Sequence, residues 1–240
     1  MGTAYAIDRM DSRSFGHALA AGRLLIVPVG ALEAHGPHLP LGADAIQARR
    51  TADELAPSLD ALVAPELPYG SCPGARGFPG TVSLSPATLR EYAREVLAEF
   101  ARMGARRILV VSGHAERGHM AALRDAASTV MTEHPPTRIV VLSDYDFVYE
   151  LRGELAPATD GHAGLLETSR VLAVAPESVG LDRPKGASRR SPFLPGSPSP
   201  DEWPESVQGD TTSASVELGQ KIHTHVLRRI EATVRELLPA

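Results

Sequence analysis

The sequence has 240 residues, of which 43% are hydrophobic and 22% are charged, as in a typical globular protein. The net charge of −5 excludes the basic surface expected of a nucleic-acid-binding protein. No apolar stretch is long enough for a membrane span, and residues 1–17 lack the pattern of a signal peptide. The single cysteine, Cys72, excludes an internal disulfide, so we expect a cytoplasmic protein.

Four apolar runs rich in β-branched residues predict buried strands. They are continuously apolar rather than alternating, which is typical of a parallel sheet covered by helices on both faces. Because helical patterns lie between and after these runs, we predict an α/β fold. The predicted strands are residues 23–30, 61–67, 106–113 and 138–144. The predicted helices are residues 44–56, 85–104 and 119–134, one helix that starts near Gly164, and one over about 213–237.

A proline-rich segment separates the last two predicted helices. Residues 181–209 contain six prolines, which predicts a long loop. Loops of this length are uncommon in compact domains and are usually functional or disordered. We expect a single domain over residues 1–240, with this loop as part of it.

Unusual polar residues follow the predicted strands at the points where the strands end. The first strand is followed by Glu33, His35 and Asp44, and the third by His114 and Glu116. In parallel α/β sheets, ligands bind beyond the carboxyl ends of the strands. These side chains therefore predict a functional site at one edge of the sheet.

The chemistry of these five residues favours metal binding. Glu33 and His35 are two positions apart, as are His114 and Glu116, and in an extended segment such pairs point the same way. Asp44 stands at the start of a helical pattern, where its carboxylate is placed to bridge two cations. Imidazoles and carboxylates suit zinc, manganese or iron(II). Two such ions sharing a carboxylate lie about 3.5–4 Å apart and activate a water molecule between them.

A third cluster, "DGHAGLLETS", adds His162 and Glu167 across a predicted helix start. His162 is a candidate proton donor to a leaving nitrogen. Glu167 is a candidate either to hold His162 or to complete a metal shell. The spacing of five residues does not choose between these roles.

Each of these features also has an ordinary structural explanation. A Glu-x-His pair after a strand is commonly a cap or a surface feature, and His38, close to two prolines, can serve to fix a turn. The remaining histidines are predicted to lie on the surface or to pack: His17, His119, His134, His223 and His225. The convergence of two Glu/His pairs and Asp44 on one predicted edge favours the metal site.

The segment "PVGALEAHGPHLPLGAD", residues 28–44, resembles the signature of the creatininase family of amidohydrolases. The segments "FPGTVSL", "SGH" and "HAGLLETS" follow in the order of that family. "QGDTTSASVELGQKI" resembles its C-terminal stretch, with Thr211 in place of the usual proline. The resemblance covers about residues 22–225, nearly the whole chain.

The resemblance implies a three-layer α/β/α sandwich on a mostly parallel sheet, two divalent metal ions per chain and a homohexamer. The implied metal ligands are Glu33, Asp44 and His114 for one ion and His35, Asp44 and Glu116 for the other. The implied catalytic residues are His162, Glu116 and Glu167. Reactions of the family break a carbon–nitrogen bond in creatinine, in a formamide or in a small peptide precursor.

The sequence departs from creatininases in the strict sense. The neighbours of Glu116 are Ala115 and Arg117, where those enzymes have tyrosine and asparagine. They line the substrate pocket with tryptophan, whereas Trp203, the single tryptophan here, lies outside the metal motifs. Residues 69–84 and 112–123 resemble instead an archaeal formamide deformylase-type branch. The candidate substrate contacts near the strand ends are Tyr69, Ser71 and Arg76.

We predict a metal-dependent amidohydrolase that cleaves a non-peptide amide or formamide bond of a small molecule. Because arginine forks suit phosphate or carboxylate groups, Arg76 predicts an anionic group on the substrate. Three alternatives remain, namely a creatinine amidohydrolase in the strict sense, a peptidase of a short modified peptide, and a catalytically silent metal-binding relative. The complete set of predicted ligands argues against the silent relative.

Overall fold

A four-stranded parallel sheet lies at the centre of the computed structural model, which describes residues 5–188 and 198–239. The strand order is β2-β1-β3-β4. The strands are β1 (Leu24–Val29), β2 (Ala61–Val63), β3 (Arg107–Ser112) and β4 (Arg138–Ser143). A small antiparallel pair joins β5 (Lys185–Gly186) to β6 (Gly209–Asp210). Its strands lie near the two ends of the proline-rich segment, of which residues 189–197 lie outside the described part of the chain.

Helices cover both faces of the sheet, so the predicted three-layer α/β/α architecture is confirmed. One face packs against α1 (Ser12–Ala20), α3 (Pro86–Arg102) and α4 (Arg117–Glu133). The other packs against α2 (Ala43–Leu59), α5 (Tyr145–Val148), α6 (Leu165–Val174) and α7 (Val216–Leu237). Because successive strand residues point to opposite faces, Leu25 and Val27 enter the first core and Leu24 and Ile26 the second. None of the described helices has the length and apolarity needed to cross a membrane.

The helix ends follow local capping chemistry. Ser85 accepts a hydrogen bond from the backbone N–H of Thr88 at 3.1 Å, which satisfies a free donor of the first turn of α3. Asp11 caps α1 in the same way, with the N–H groups of Arg13 and Ser14 as donors. Helix α1 is not among the predicted helices, since its short segment contains Gly16, a residue that weakens helices.

The second strand is shorter than predicted. It ends at Val63, and the chain rejoins the sheet at an isolated bridge between Leu67 and Val29. Pro65 lies between these points and has no N–H to donate to the ladder. The predicted run 61–67 is therefore interrupted, although both of its ends remain beside β1.

Candidate metal centre

Five buried polar side chains meet at the carboxyl edge of the sheet. Glu33 and His35 lie in the loop that joins β1 to α2, and Asp44 lies in the first turn of α2. His114 follows β3, and Glu167 lies in the first turn of α6. All five are buried. The sheet topology thus joins residues that are up to 134 positions apart, from Glu33 to Glu167.

The first group of potential ligands is Glu33, Asp44 and His114, whose ligand atoms lie within 4.8 Å of one another. Nδ1 of His114 is 3.2 Å from Oε2 of Glu33 and 3.1 Å from Oδ2 of Asp44. One nitrogen and two carboxylate oxygens therefore face a common point.

The second group is His35, Asp44 and Glu167. Nε2 of His35 is 3.3 Å from Oδ1 of Asp44 and 3.5 Å from Oε1 of Glu167. Asp44 belongs to both groups and directs a different oxygen into each. This is the bridging arrangement that its position in the sequence predicts.

Backbone hydrogen bonds determine which ring nitrogen each site histidine turns inward. Because a carbonyl oxygen can only accept, the ring nitrogen beside it must carry the hydrogen. The donating atoms are Nδ1 of His35 at 3.0 Å, Nε2 of His114 at 3.0 Å and Nε2 of His162 at 2.8 Å. The accepting carbonyls belong to Glu33, Ser71 and Ala34, respectively. The other nitrogen of each ring faces the carboxylates.

The arrangement fits a divalent cation. Oε2 of Glu33, Nε2 of His35 and Oδ2 of Asp44 are buried without a hydrogen-bond partner among the described residues. The lone pair of a ring nitrogen repels a facing carboxylate oxygen unless a proton or a cation lies between the two atoms. Buried groups of this kind are normally satisfied, so these atoms point to an ion. Imidazole nitrogen and carboxylate oxygen suit zinc, manganese or iron(II).

The protonation of these groups depends on their mutual attraction. Burial lowers the pKa of His114, but the charges of Glu33 and Asp44 outweigh it and raise the pKa to about 9. Burial also opposes protonation of His35, yet Asp44 and Glu167 raise its pKa well above the usual value. Without a cation, the facing carboxylates thus favour the protonated form of both rings.

The pKa values of Asp44 and Glu167 are shifted downward. Burial favours the neutral form of Asp44, but the facing imidazoles of His35 and His114 hold its pKa well below its usual range. Burial likewise opposes ionisation of Glu167, and His35 nevertheless lowers its pKa to about 2. Both carboxylates are therefore negative at neutral pH, as metal ligands must be.

Glu167, rather than Glu116, supplies the carboxylate of the second group. Glu116 is the N-cap of α4, and its Oε2 accepts the N–H of His119 at 2.8 Å. A carboxylate at a helix start is attracted by the free N–H groups there. Glu116 is absent from the ligand groups found among the described residues, but it lines the adjoining cavity.

His162 lies between the ligand groups and the cavity. Its ring is 4.3 Å from that of His35, and its Nδ1 is 4.0 Å from Oε2 of Glu33. The side chain is 19% exposed, whereas those of His35 and His114 are 1% and 7% exposed. His162 is therefore more open to the cavity than His35 and His114 are, and it also forms a third potential ligand group with Glu33 and His35.

A cavity of about 230 Å³ opens over this site. Its lining residues are Glu33, Gly74, His114, Ala115, Glu116, Tyr149, His162 and Trp203. Although Trp203 lies outside the metal motifs in the sequence, its ring centroid is 5.1 Å from that of His162. The indole N–H donates to the carbonyl of Val207 at 3.0 Å, which holds the ring in place.

Of the three predicted substrate contacts, two are exposed and one is buried. Tyr69 and Arg76 are exposed and do not line the cavity. Ser71 is buried and acts through its backbone, since its carbonyl accepts from His114 and its N–H donates to His119. No sequence pattern identifies the cavity aromatics Tyr149 and Trp203, which come from separate segments.

Gly113 allows the end of β3 to pack closely against the start of α2. A Cβ atom at this position would lie 2.0 Å from the backbone oxygen of Asp44, far inside van der Waals contact. The glycine in "SGH" therefore lets β3 approach the start of α2 closely enough for His114 to reach Asp44.

The fold and the site together define a metal-dependent α/β hydrolase. The family model described as Creatininase: Creatinine amidohydrolase matches residues 8–234, so the chain belongs to the creatininase family. It is a metal-dependent amidohydrolase of that family, and the resemblance seen in the sequence is confirmed.

Individual relatives agree with this assignment. Creatinine amidohydrolase of Pseudomonas putida is 32% identical over 97% of both chains. Mycofactocin precursor peptide peptidase of Mycolicibacterium smegmatis is 34% identical over 66% of this chain and 61% of its own. Solved creatininases in a Zn–Zn form and an Mn form are 29% identical, with TM-scores of 0.88 over 98% of this chain and 99% of theirs.

Proposed function

We propose that the chain hydrolyses the amide bond of a small, planar, neutral or cationic molecule of about the size of creatinine. The observation that carries this proposal is the cavity over the ligand groups, which combines the rings of Tyr149 and Trp203 with the carboxylate of Glu116. Aromatic faces stack on planar groups and attract cations. The described lining contains no arginine, so no guanidinium group there favours an anionic substrate.

Two divalent ions per chain, of zinc, manganese or iron(II), would be bound by the two ligand groups. Glu33, Asp44 and His114 would hold one ion, and His35, Asp44 and Glu167 the other. When bound, such ions lower the pKa of a water molecule and polarise the substrate carbonyl.

The protein residues around the ions would orient the substrate and move protons. Nδ1 of His162 is the atom free to carry a proton to the leaving nitrogen, because its Nε2–H is engaged by the carbonyl of Ala34. Glu116 would attract the electron-poor side of the substrate, while Trp203 and Tyr149 exclude water around it.

The alternative functions differ in the size and charge of the substrate. A cavity of about 230 Å³ is small beside typical ligand pockets, which favours a small molecule over a peptide. The M. smegmatis relative named as a peptidase keeps that alternative open to test. Burial of every potential ligand in both groups argues against a silent relative.

A substrate comparison tests the proposal. We expect kcat/KM of the metal-loaded protein to be higher for creatinine or a similar cyclic amide than for a phosphorylated formamidopyrimidine or a short peptide. Arg76→Ala, which alters an exposed residue, should leave these values unchanged. A preference for the phosphorylated formamide that Arg76→Ala abolishes would instead support the anionic substrate.

We also propose that the chain acts in the cytoplasm as a homohexamer. The support is the single cysteine and the family resemblance. Light scattering should give about six times the chain mass of 25.5 kDa, and a monomer would overturn this assembly.

A further inference from the structure

The carboxylate of Glu167 is held by neutral donors on both of its oxygens. Oε2 accepts the backbone N–H of Ala163 at 2.7 Å. Oε1 accepts the hydroxyl of Tyr145 at 2.7 Å and is 3.4 Å from Nε2 of Gln47. The same Oε1 faces Nε2 of His35 at 3.5 Å. The orientation of this oxygen toward His35 therefore depends on Tyr145.

Tyr145 is itself firmly placed. It is the first residue of α5, two residues after the end of β4, and it is only 4% exposed. Its backbone N–H donates to Oγ of Ser143 at 3.1 Å. The preceding residue, Asp144, forms a fully buried ion pair of 2.7 Å with Arg170. Because Arg170 lies three residues after Glu167 on α6, this ion pair ties α6 to the end of β4.

We propose that Tyr145 is a positioning residue for the ion that His35, Asp44 and Glu167 would hold. The inference rests on the proposed two-metal function. A hydroxyl that donates to one lone pair of Oε1 leaves the other lone pair of that oxygen for the point shared with His35. Hydrogen-bonding partners of metal ligands fix ligand orientation in this way, and their loss typically weakens metal binding by about 10–100-fold.

The effect should be confined to one of the two ions. The hydroxyl of Tyr145 contacts Glu167 and Gln47, which lie beside the second group. The first group has a different support, since His114 is oriented by the carbonyl of Ser71. Loss of the hydroxyl therefore leaves the ligands of the first ion in place.

The test is a titration of metal-free protein with Zn²⁺ or Co²⁺ against a competing chelator. In Tyr145→Phe we expect one of two binding steps to weaken by about 10–100-fold, with the other unchanged. The absorption spectrum of Co²⁺ at the weakened site should also change. Gln47→Met, which removes the amide near the same oxygen, should weaken the same step by less.

Tyr149→Phe is the matched control, because its ring lies 5.4 Å from that of Tyr145 and the described bonds of Glu167 do not include its hydroxyl. It should bind both ions as the wild type does. If the wild type binds fewer than two ions, the two-metal function fails. If it binds two and Tyr145→Phe matches it at both steps, the role of Tyr145 is overturned. Equal weakening of both steps, with a lower Tm of the metal-free protein, would also overturn it.

Discussion

At the amino edge of the sheet, three arginines surround a cavity of about 550 Å³, larger than the cavity over the candidate metal centre. Their guanidinium groups donate to backbone carbonyls within the chain. Arg107 donates to Gly22 at 2.7 Å and to Leu238 at 3.2 Å. Arg23 donates to Asp60 and Ala61, and Arg235 donates to Ser58. The charges at this edge thus have partners supplied by the fold.

The carboxyl edge differs, because its inward ring nitrogens and carboxylate oxygens converge in potential ligand groups. Glu33, His35 and Asp44 each keep an atom without a hydrogen-bond partner among the described residues. Cavity size alone would favour the amino edge as the functional site. The arginines there, however, donate to backbone carbonyls at the ends of helices and strands. Unsatisfied ligand atoms are therefore a better guide to the reactive site than volume is. Substitutions at the two edges should therefore have different effects on metal binding.

The largest effect is expected from Asp44→Ala, which removes an oxygen from both ligand groups. The variant should lose both ions, and kcat/KM should fall by more than about 10⁴-fold, since enzymes commonly accelerate reactions by about 10⁶-fold or more. Metal analysis and steady-state kinetics check this. Asp53→Ala, on the same helix but paired with Arg49, should keep its metal. Full metal content and activity in Asp44→Ala would contradict the bridging role.

His162→Ala should separate chemistry from metal binding. We expect the metal content to stay at the wild-type level while kcat falls by about 10²–10⁴-fold, because a positioned proton donor is lost. His225→Ala, whose ring pairs with Glu150 on the surface, is the control and should be fully active. Loss of metal in His162→Ala would show that His162 is a ligand, in the third group with Glu33 and His35.

The stability of the metal-free protein should depend on pH through the carboxyl edge. The pKa of His114 is raised to about 9 in the folded chain, against 6.5 for the ordinary group. Its contribution to stability is therefore complete below pH 6.5 and is lost as the pH rises through 9. Thermal unfolding of metal-free protein should show Tm falling over this range. The Tm of the metal-loaded protein should fall less, because a bound ion takes the place of the proton on His114. An equal fall in Tm for both forms would contradict this.

The smallest effect is expected at the amino edge. Arg107→Met removes hydrogen bonds to two carbonyls and should lower the free energy of unfolding by about 1–3 kcal/mol. Metal content and kcat should remain unchanged, because the site lies at the other end of the sheet. The exposed neighbour Arg106 gives the control Arg106→Met, with no measurable change. A loss of metal in Arg107→Met would show that the two edges are coupled.

Local patterns in the sequence determined most of the scaffold and part of the site. Continuous apolar runs predict β1, β3 and β4 to within a residue or two, because strand burial depends on nearby side chains. The segment from Glu33 to Asp44 follows β1 directly, and His114 follows β3. Since neighbouring parallel strands end at the same edge, these residues had to meet.

Tertiary packing decided the remaining partners, which local spacing does not encode. Glu116 and Glu167 both stand near helix starts, and only the docking of α6 beside α2 brings Glu167, rather than Glu116, to His35. Trp203 reaches the cavity because its ring packs beside His162, 41 positions earlier in the sequence. Tyr145 meets Glu167 because a buried ion pair joins β4 to α6. These contacts depend on how whole elements pack, so a single stretch of sequence contains no signal for them.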